Sequence, residues 1–155
     1  MNNFKTLFLT LFSAILFSGC VKEIPQSEFI AYYDSHCRAD FVRSGMKFMA
    51  LSLNEDYEKV KWGNSLGLGK RVLFWVEPYT GISFKDAFLV DGKDSVSAVS
   101  LRKVETFELK TIDSFVISFS ENWNDAVLLI KNVGNGIGNI EMDLKNCSNI
   151  RLARE

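Results

Sequence analysis

One histidine, three cysteines and nineteen acidic residues are the groups in this 155-residue chain that could attack, ligate or move protons. His36 stands beside Cys37. Cys–His catalysis needs an imidazole that reaches the thiolate across the fold and a third group that orients it. Neighbours on a helix instead point about 100° apart. Zinc wants three or four nitrogen or sulfur ligands. No His-dependent catalysis, no metal and no cofactor are therefore expected. The stretch Gly63 to Arg71, GNSLGLGKR, approaches a phosphate-binding loop and misses it. Arg71 follows Gly69-Lys70 where a hydroxyl must hold magnesium, and Asn64 stands where the first glycine belongs. A partner-contacting loop is the expected role. The acidic pairs Glu55-Asp56, Asp91 with Asp94, Glu121 with Asp125 and Glu141 with Asp143 fall in expected turns or on outer strand faces. Glycoside chemistry would need two carboxylates facing each other, one kept protonated by burial. The loop from Asp91 to Asp94 has too few oxygen ligands for calcium. Trp75 reads as core, whereas Trp62 and Trp123, both near loops, are candidates for exposed contact. No catalytic residue emerges, and the chain is not expected to be an enzyme.

Eighteen basic residues against nineteen acidic ones leave a formal charge of −1. Nucleic acid would want a concentrated basic face, so it is not an expected partner. The length suits one domain with a substantial core.

Ahead of Cys20 the chain reads as an export signal. Lys5 sits in a polar lead, Met1 to Thr6, followed by the apolar run Leu7 to Phe17 and the small residues Ser18 and Gly19. The run is about half of the roughly 20 residues a helix needs to span hydrocarbon. Leu16-Phe17-Ser18-Gly19-Cys20 resembles the lipobox, the cleavage site of a bacterial lipoprotein signal peptide. The resemblance implies that residues 1–19 are removed. It also implies that Cys20 carries a diacylglycerol thioether and an acylated amine, so that the protein is held to a membrane by lipid alone. The compartment would be the bacterial cell envelope, on the periplasmic side, and Val21 rather than Asp after the cysteine implies the outer membrane. In that oxidising setting Cys37 and Cys147 are expected to pair. Their bridge would close a loop of roughly 110 residues, worth about 4–5 kcal/mol on the chain-entropy model. Residues 20–26 would form a lipidated tether reaching some 20–25 Å, at about 3.5 Å per residue, and residues 27–155 a single domain.

Those elements must be positioned by a fold, and its texture is mostly β. Ser27 reads as an N-cap with Glu28 in the first turn. Phe29, Tyr33, Cys37 and Phe41 recur every four residues, so an amphipathic helix is expected over Ser27 to Arg43, stopped at Gly45. Met49, Leu51 and Leu53 alternate as in a strand, and Asn54 to Trp62 reads as a short helix or an ordered loop. From Lys70 onward come strands at Arg71 to Glu77, Ile82 to Val90, Ser95 to Lys110 (long enough for two strands or one bulged strand), Ser114 to Ser120, Ala126 to Lys131 and Asn139 to Lys145. Turn chemistry separates them, including Asp91-Gly92. The expected fold is mainly β: an antiparallel β-sandwich of about seven strands with one N-terminal helix packed on it.

Three strings in the mature region fall in a particular order: Leu53-Asn54 ending a first strand, the hydrophobic strand Val72 to Val76, then Phe84, Ala87 and Phe88. Phe107-Glu108-Leu109 and Val127 to Ile130 follow. This order resembles the outer-membrane lipoprotein of the type VI secretion system's membrane complex, a lipidated, non-catalytic β-sandwich. The helical N-terminal segment and the two cysteines depart from that pattern. The resemblance implies that the loop Asn54 to Lys70 faces an inner-membrane partner. The expected function is a non-catalytic, lipid-anchored envelope protein acting in binding or assembly, with a protein partner and the membrane as its contacts. Tyr57, Trp62, Leu66, Leu68 and Trp123 are the candidate contact residues. The alternative is a periplasmic inhibitor of a hydrolase such as lysozyme, using Glu121 to Asp125 or Asp91 to Ser95 as a cleft-filling loop.

Overall fold

A computed structural model describes residues 20–65, 67–104 and 112–154. The signal segment, Leu66 and the Phe107-Glu108-Leu109 string lie outside the described residues. In chain order the elements are β1 (Lys22–Ile24), α1 (Gln26–Cys37), β2 (Arg38–Arg43), β3 (Met46–Leu53), α2 (Glu55–Trp62), β4 (Arg71–Glu77) and β5 (Asp86–Asp91). They continue with β6 (Asp94–Lys103), β7 (Asp113–Phe119), β8 (Val127–Val133), β9 (Gly138–Asp143) and β10 (Ile150–Leu152).

Eight strands form one antiparallel sheet in the order β2-β3-β4-β7-β6-β5-β8-β9. The sheet curls until its two edges meet. The Arg43 guanidinium at the end of β2 donates to the Ile137 and Asn139 carbonyls, at 3.2 and 2.8 Å, beside the start of β9. An apolar core fills the inside, with Phe48, Phe74, Leu89, Ile117, Leu128 and Ile140 almost wholly buried. Each such side chain contributes about 1.5–3 kcal/mol relative to exposure. The expected mainly β, antiparallel architecture with an N-terminal helix packed on it is what the protein has. Its two facing layers belong to one nearly closed sheet.

A second apolar cluster lies outside that barrel. Phe29, Tyr33 and Cys37 of α1 pack with Tyr57 of α2 and Ile24 of β1 against Leu51, Leu73 and Val116. The wall of β3, β4 and β7 is thus buried on both faces, so β3, where the alternation of Met49, Leu51 and Leu53 suggests one buried face, is in fact covered on both. By contrast β9 alternates, with only Ile140 and Met142 buried.

Several boundaries differ from expectation, each for a local reason. The helix ends at Cys37 rather than Arg43, and β2 follows with no intervening loop. Phe41 matched the four-residue spacing by coincidence. Ala39 and Phe41 in fact alternate with the outward Asp40 and Val42, and β2 pairs with β3 from Arg38↔Leu51 to Arg43↔Met46. Ser44 and Gly45, at φ +53° and +76°, form the two-residue hairpin turn between them, so Gly45 is a turn residue and not a helix stop. The cap of α1 is Pro25 with no side-chain hydrogen bond, and Ser27 lies inside the first turn. The span expected as a tether is built into the fold. Lys22, Glu23 and Ile24 pair in parallel with Ile150, Arg151 and Leu152, and Ile24 is buried. Cys147 precedes this last strand instead of lying in it. Finally, β6 is a single bulged strand, its register shifting between Ala98 and Ser100.

Candidate functional site

The Gly63-to-Arg71 segment is organised from below by a buried ion pair. Asn54 caps α2 by accepting from the Tyr57 amide at 2.8 Å, and Gly63 closes the helix with its amide on the Lys59 carbonyl. The cap places Glu58 on the buried face. There Glu58, fully buried, accepts from both Nε and Nη2 of Arg71, the latter at 2.7 Å, and from the Ser65 hydroxyl at 3.1 Å. The remaining Arg71 nitrogen, Nη1, donates to the Gly67 and Leu68 carbonyls. A planar guanidinium can thus fix a carboxylate and a loop backbone together. Gly69 completes the arrangement. At φ +90° it lies so close to β7 that a Cβ would sit 2.1 Å from the Phe119 carbonyl oxygen, so only glycine fits. Gly69 and the Arg71 side chain are therefore architectural, and Arg71 stands where a nucleotide loop would need its hydroxyl.

Beside this loop is a cleft of about 550 Å³ where the helical cap meets one end of the barrel. Its walls come from the end of β3, the 67–71 segment, the 120–125 loop and the stretch from Asn146 to Arg151. The lining is polar. Lys70 is the unusual member, only 6% exposed. Its backbone joins the loops, donating to the Glu121 carbonyl at 3.1 Å and accepting from the Phe119 amide at 2.8 Å. Burial pulls the Lys70 amine below the ordinary lysine range, partly opposed by the Asp125 carboxylate. A shallower groove, about 320 Å³, lies on the other side of Leu68 and runs to Val99 and Arg102 on β6.

The contact candidates separate on this frame. Leu68 is fully exposed at the loop tip and borders both hollows. Trp62 is half-buried, its ring edge-on to Tyr57 with centroids 6.2 Å apart. Trp123 is half-buried against the barrel core, and its indole donates to the Glu121 carboxylate at 2.8 Å. Tyr57 is not a contact residue: it is 1% exposed, its ring meets Tyr33, and its hydroxyl donates to Asp34. Its spacing with Val60 signalled a helix face turned inward. Leu66 lies outside the described residues. The two loops singled out in the sequence, around Leu68 and around Trp123, meet at the same cleft. Lys70, Asn146, Ser148 and Arg151 line it too and were not foreseen, because nothing local marks residues that only tertiary structure assembles.

Cys37 and Cys147 are bonded, with Cα atoms 6.0 Å apart across a separation of 110 residues. Cys20 is a free, exposed thiol two residues before β1. Among the described residues no three His, Cys, Asp or Glu side chains converge as metal ligands, and no helix is long and apolar enough to cross a membrane. No protein-family model, curated protein or solved structure matches the chain.

Proposed function

We propose that this protein is a lipid-anchored component of the bacterial envelope that binds a protein partner without catalysing a reaction, and that the partner meets the face around Leu68. One observation carries the reading. Leu68 is a fully exposed leucine on a loop whose carbonyls are held from beneath by the buried Arg71–Glu58 pair. A scattered surface leucine needs no explanation, but one held out on a fixed backbone is preorganised, so binding costs little ordering entropy. Val99, also exposed, lies along the same groove and enlarges the apolar surface.

The lipobox resemblance supplies the tether. With β1 starting at Lys22, a lipid on Cys20 would hold the domain flush against the bilayer instead of on a long leash. Such confinement raises the effective concentration of a membrane partner, so modest affinity suffices. The resemblance to the type VI secretion lipoprotein puts the inner-membrane partner on the same 54–70 segment. The inhibitor alternative asks for a free acidic tip on the 121–125 loop, and there the Glu121 carboxylate is already engaged by Trp123.

A photo-crosslinking residue at position 68, compared in cells with one at the exposed Val42 on β2, tests the proposal. A discrete adduct is expected at 68 and not at 42. No adduct at 68, or the same adducts at both, would reject it. Added protein is expected to leave lysozyme turnover unchanged; saturable inhibition would move the assignment to the alternative.

A further inference from the structure

We infer that the cleft between the helical cap and the barrel end is a binding site for an oxyanion, a phosphate or carboxylate group carried on a polar body, with Lys70 at its centre. The inference starts from which cleft groups are already engaged. Arg71 is taken by Glu58 and two carbonyls. The Tyr33 hydroxyl donates to the Ser52 carbonyl at 2.8 Å. Asn54 serves both the Tyr57 amide and the Ile150 carbonyl, and the Asn146 side chain accepts from the Ser148 amide. The groups that remain along the walls include the Lys70 ammonium, the Arg151 guanidinium, the amides of Asn122 and Asn124 and the Ser148 hydroxyl. None of their side chains has a hydrogen-bond partner among the described residues.

Lys70 decides the matter. Lys70 is 6% exposed as a residue and its ammonium makes no hydrogen bond among the described residues, yet Nζ is not one of the wholly buried unpartnered atoms, so the charge opens onto the cleft. It is a natural counter-charge for an anion entering the cleft, and burial strengthens that attraction relative to open water. The opposing charges are few. Asp125 acts on Lys70 from the neighbouring loop, and Glu55, on the rim, pairs with Lys59 at 2.8 Å and also acts on Arg151. A volume of about 550 Å³ suits a small molecule. Among the described residues the one aromatic ring in the lining is Tyr33, which is buried. The selected ligand is therefore a polar anion, with the two asparagines as neutral donors to its body.

Such a group has two sources, a soluble phosphate ester or the phosphate of a phospholipid headgroup. Geometry admits both. Glu23 pairs with Arg151, and Cys20 is three residues before Glu23, so the start of the described chain lies within about 11 Å of β1's pairing with the cleft wall. The anion site itself does not depend on lipid at Cys20, so it can fail or stand separately from the proposed anchoring.

The test uses the full-length chain in zwitterionic detergent. Side-chain amide resonances of Asn122 and Asn124 are followed by NMR during titration with inorganic phosphate, glycerol 3-phosphate and citrate, and with micelles doped with phosphatidylglycerol or phosphatidylcholine. Saturable shifts with at least one anion are expected, weakened about tenfold or more by Lys70→Met, which keeps the volume and removes the charge. A response to phosphatidylglycerol alone assigns a headgroup, and a response to the soluble anions assigns a free ligand. If Lys70→Met fails to fold, the exposed pair Asn122→Ala and Asn124→Ala, followed through the Lys70 ammonium resonance, must lower affinity instead. No saturable shift up to roughly 10 mM anion and none with phosphatidylglycerol, or unchanged affinity in the variants, would overturn the inference.

Discussion

The barrel and the cap that leans on its β3–β4–β7 wall share one sheet and are secured by different means. Inside the barrel, strand follows strand through antiparallel ladders, and apolar side chains from both layers fill the space. The cap has a smaller apolar cluster, centred on Phe29, Tyr33 and Tyr57. Helices of 12 and 8 residues and a pair of three-residue strands are each too short to persist alone. Beside that cluster, the cap is held by a set of links between residues far apart in sequence. The disulfide ties α1 to the segment before β10, Asn54 donates to the Ile150 carbonyl at 3.0 Å, and the Asp56 carboxylate accepts from the Leu152 amide at 3.0 Å. The candidate site lies on the seam between the two regions, so its shape depends on cross-links more than on the bulk core.

Removing the strongest of those links should separate the regions most clearly. Cys37→Ala with Cys147→Ala is expected to lower unfolding free energy by about 4–5 kcal/mol on the chain-entropy model. Hydrogen exchange should show α1, β1 and β10 losing protection well before β4 and β7. Equal loss across both regions would mean that they form one cooperative unit. Next comes the buried ion pair. Glu58→Ala strands the Arg71 guanidinium without its carboxylate and should cost about 3–5 kcal/mol. Denaturant titration measures the loss, and exchange at Gly67 to Lys70 should rise even where the barrel amides stay protected.

The two regions were also unequally legible from sequence. Barrel strands announce themselves because a ladder needs only local pattern: the one-face spacing of Phe115, Ile117 and Phe119 in β7, the β-branched and aromatic run of β4, and turn residues between them. The cap depends on coincidences of distance. A periodicity of four ran through Phe29, Tyr33 and Cys37 and was extended one step too far, to Phe41, because nothing local marks the residue at which a helix gives way to a strand. β1 and β10 are three residues each and read as tether and tail until they meet. For the site, the loop at Leu68 could be found from its glycines, and the cysteine pairing from the exported context. Lys70 and Arg151 could not, since a buried lysine has the same letters around it as an exposed one.

Acid should sharpen the comparison further, because the two regions carry carboxyl groups, one buried and one half-buried, shifted in opposite directions. In the barrel, Asp113 at the start of β7 is fully buried. Burial alone would raise its pKa, but Lys103 at 2.6 Å and the Thr80 and Ile82 amides, both at 3.2 Å, more than offset this and hold it low. The unfolded carboxyl, near 3.9, therefore takes up a proton first. This stabilisation is complete above that value and is lost as pH falls through the folded one. In the cap, burial raises the Asp34 carboxyl despite the Tyr57 hydroxyl, and Asp34 Oδ1 has no hydrogen-bond partner among the described residues. Here the folded state takes up the proton first, so the cost of the buried charge is relieved as pH falls through the raised value. On acidification the cap should hold or gain protection first, and the 78–82 segment should loosen only at lower pH. Asp113→Asn, which weakens charge-assisted bonds worth about 1.5–3 kcal/mol each, should abolish the acid-induced loosening of that segment and leave the cap's response intact.

The smallest effect on stability should accompany the largest effect on recognition. Leu68 touches solvent on all sides, so Leu68→Asp removes no packing and is expected to change unfolding free energy by no more than about 0.5 kcal/mol. The loop should keep its position, because Arg71 grips the carbonyl of residue 68 and not its side chain. If the exposed leucine is an anchor, however, its replacement by a carboxylate puts an unpaired charge where a partner expects apolar surface, a loss of about 2 kcal/mol or more in a contact of this kind. Thermal melting and crosslink yield, measured on the same variant from a neighbouring probe at the exposed Val99, read the two quantities independently. An unchanged melt with lost crosslinking is the expected pair. An unchanged melt with undiminished crosslinking would show that the loop is held rigid for the sake of the cap alone, and the partner's contact would then have to be sought on the barrel.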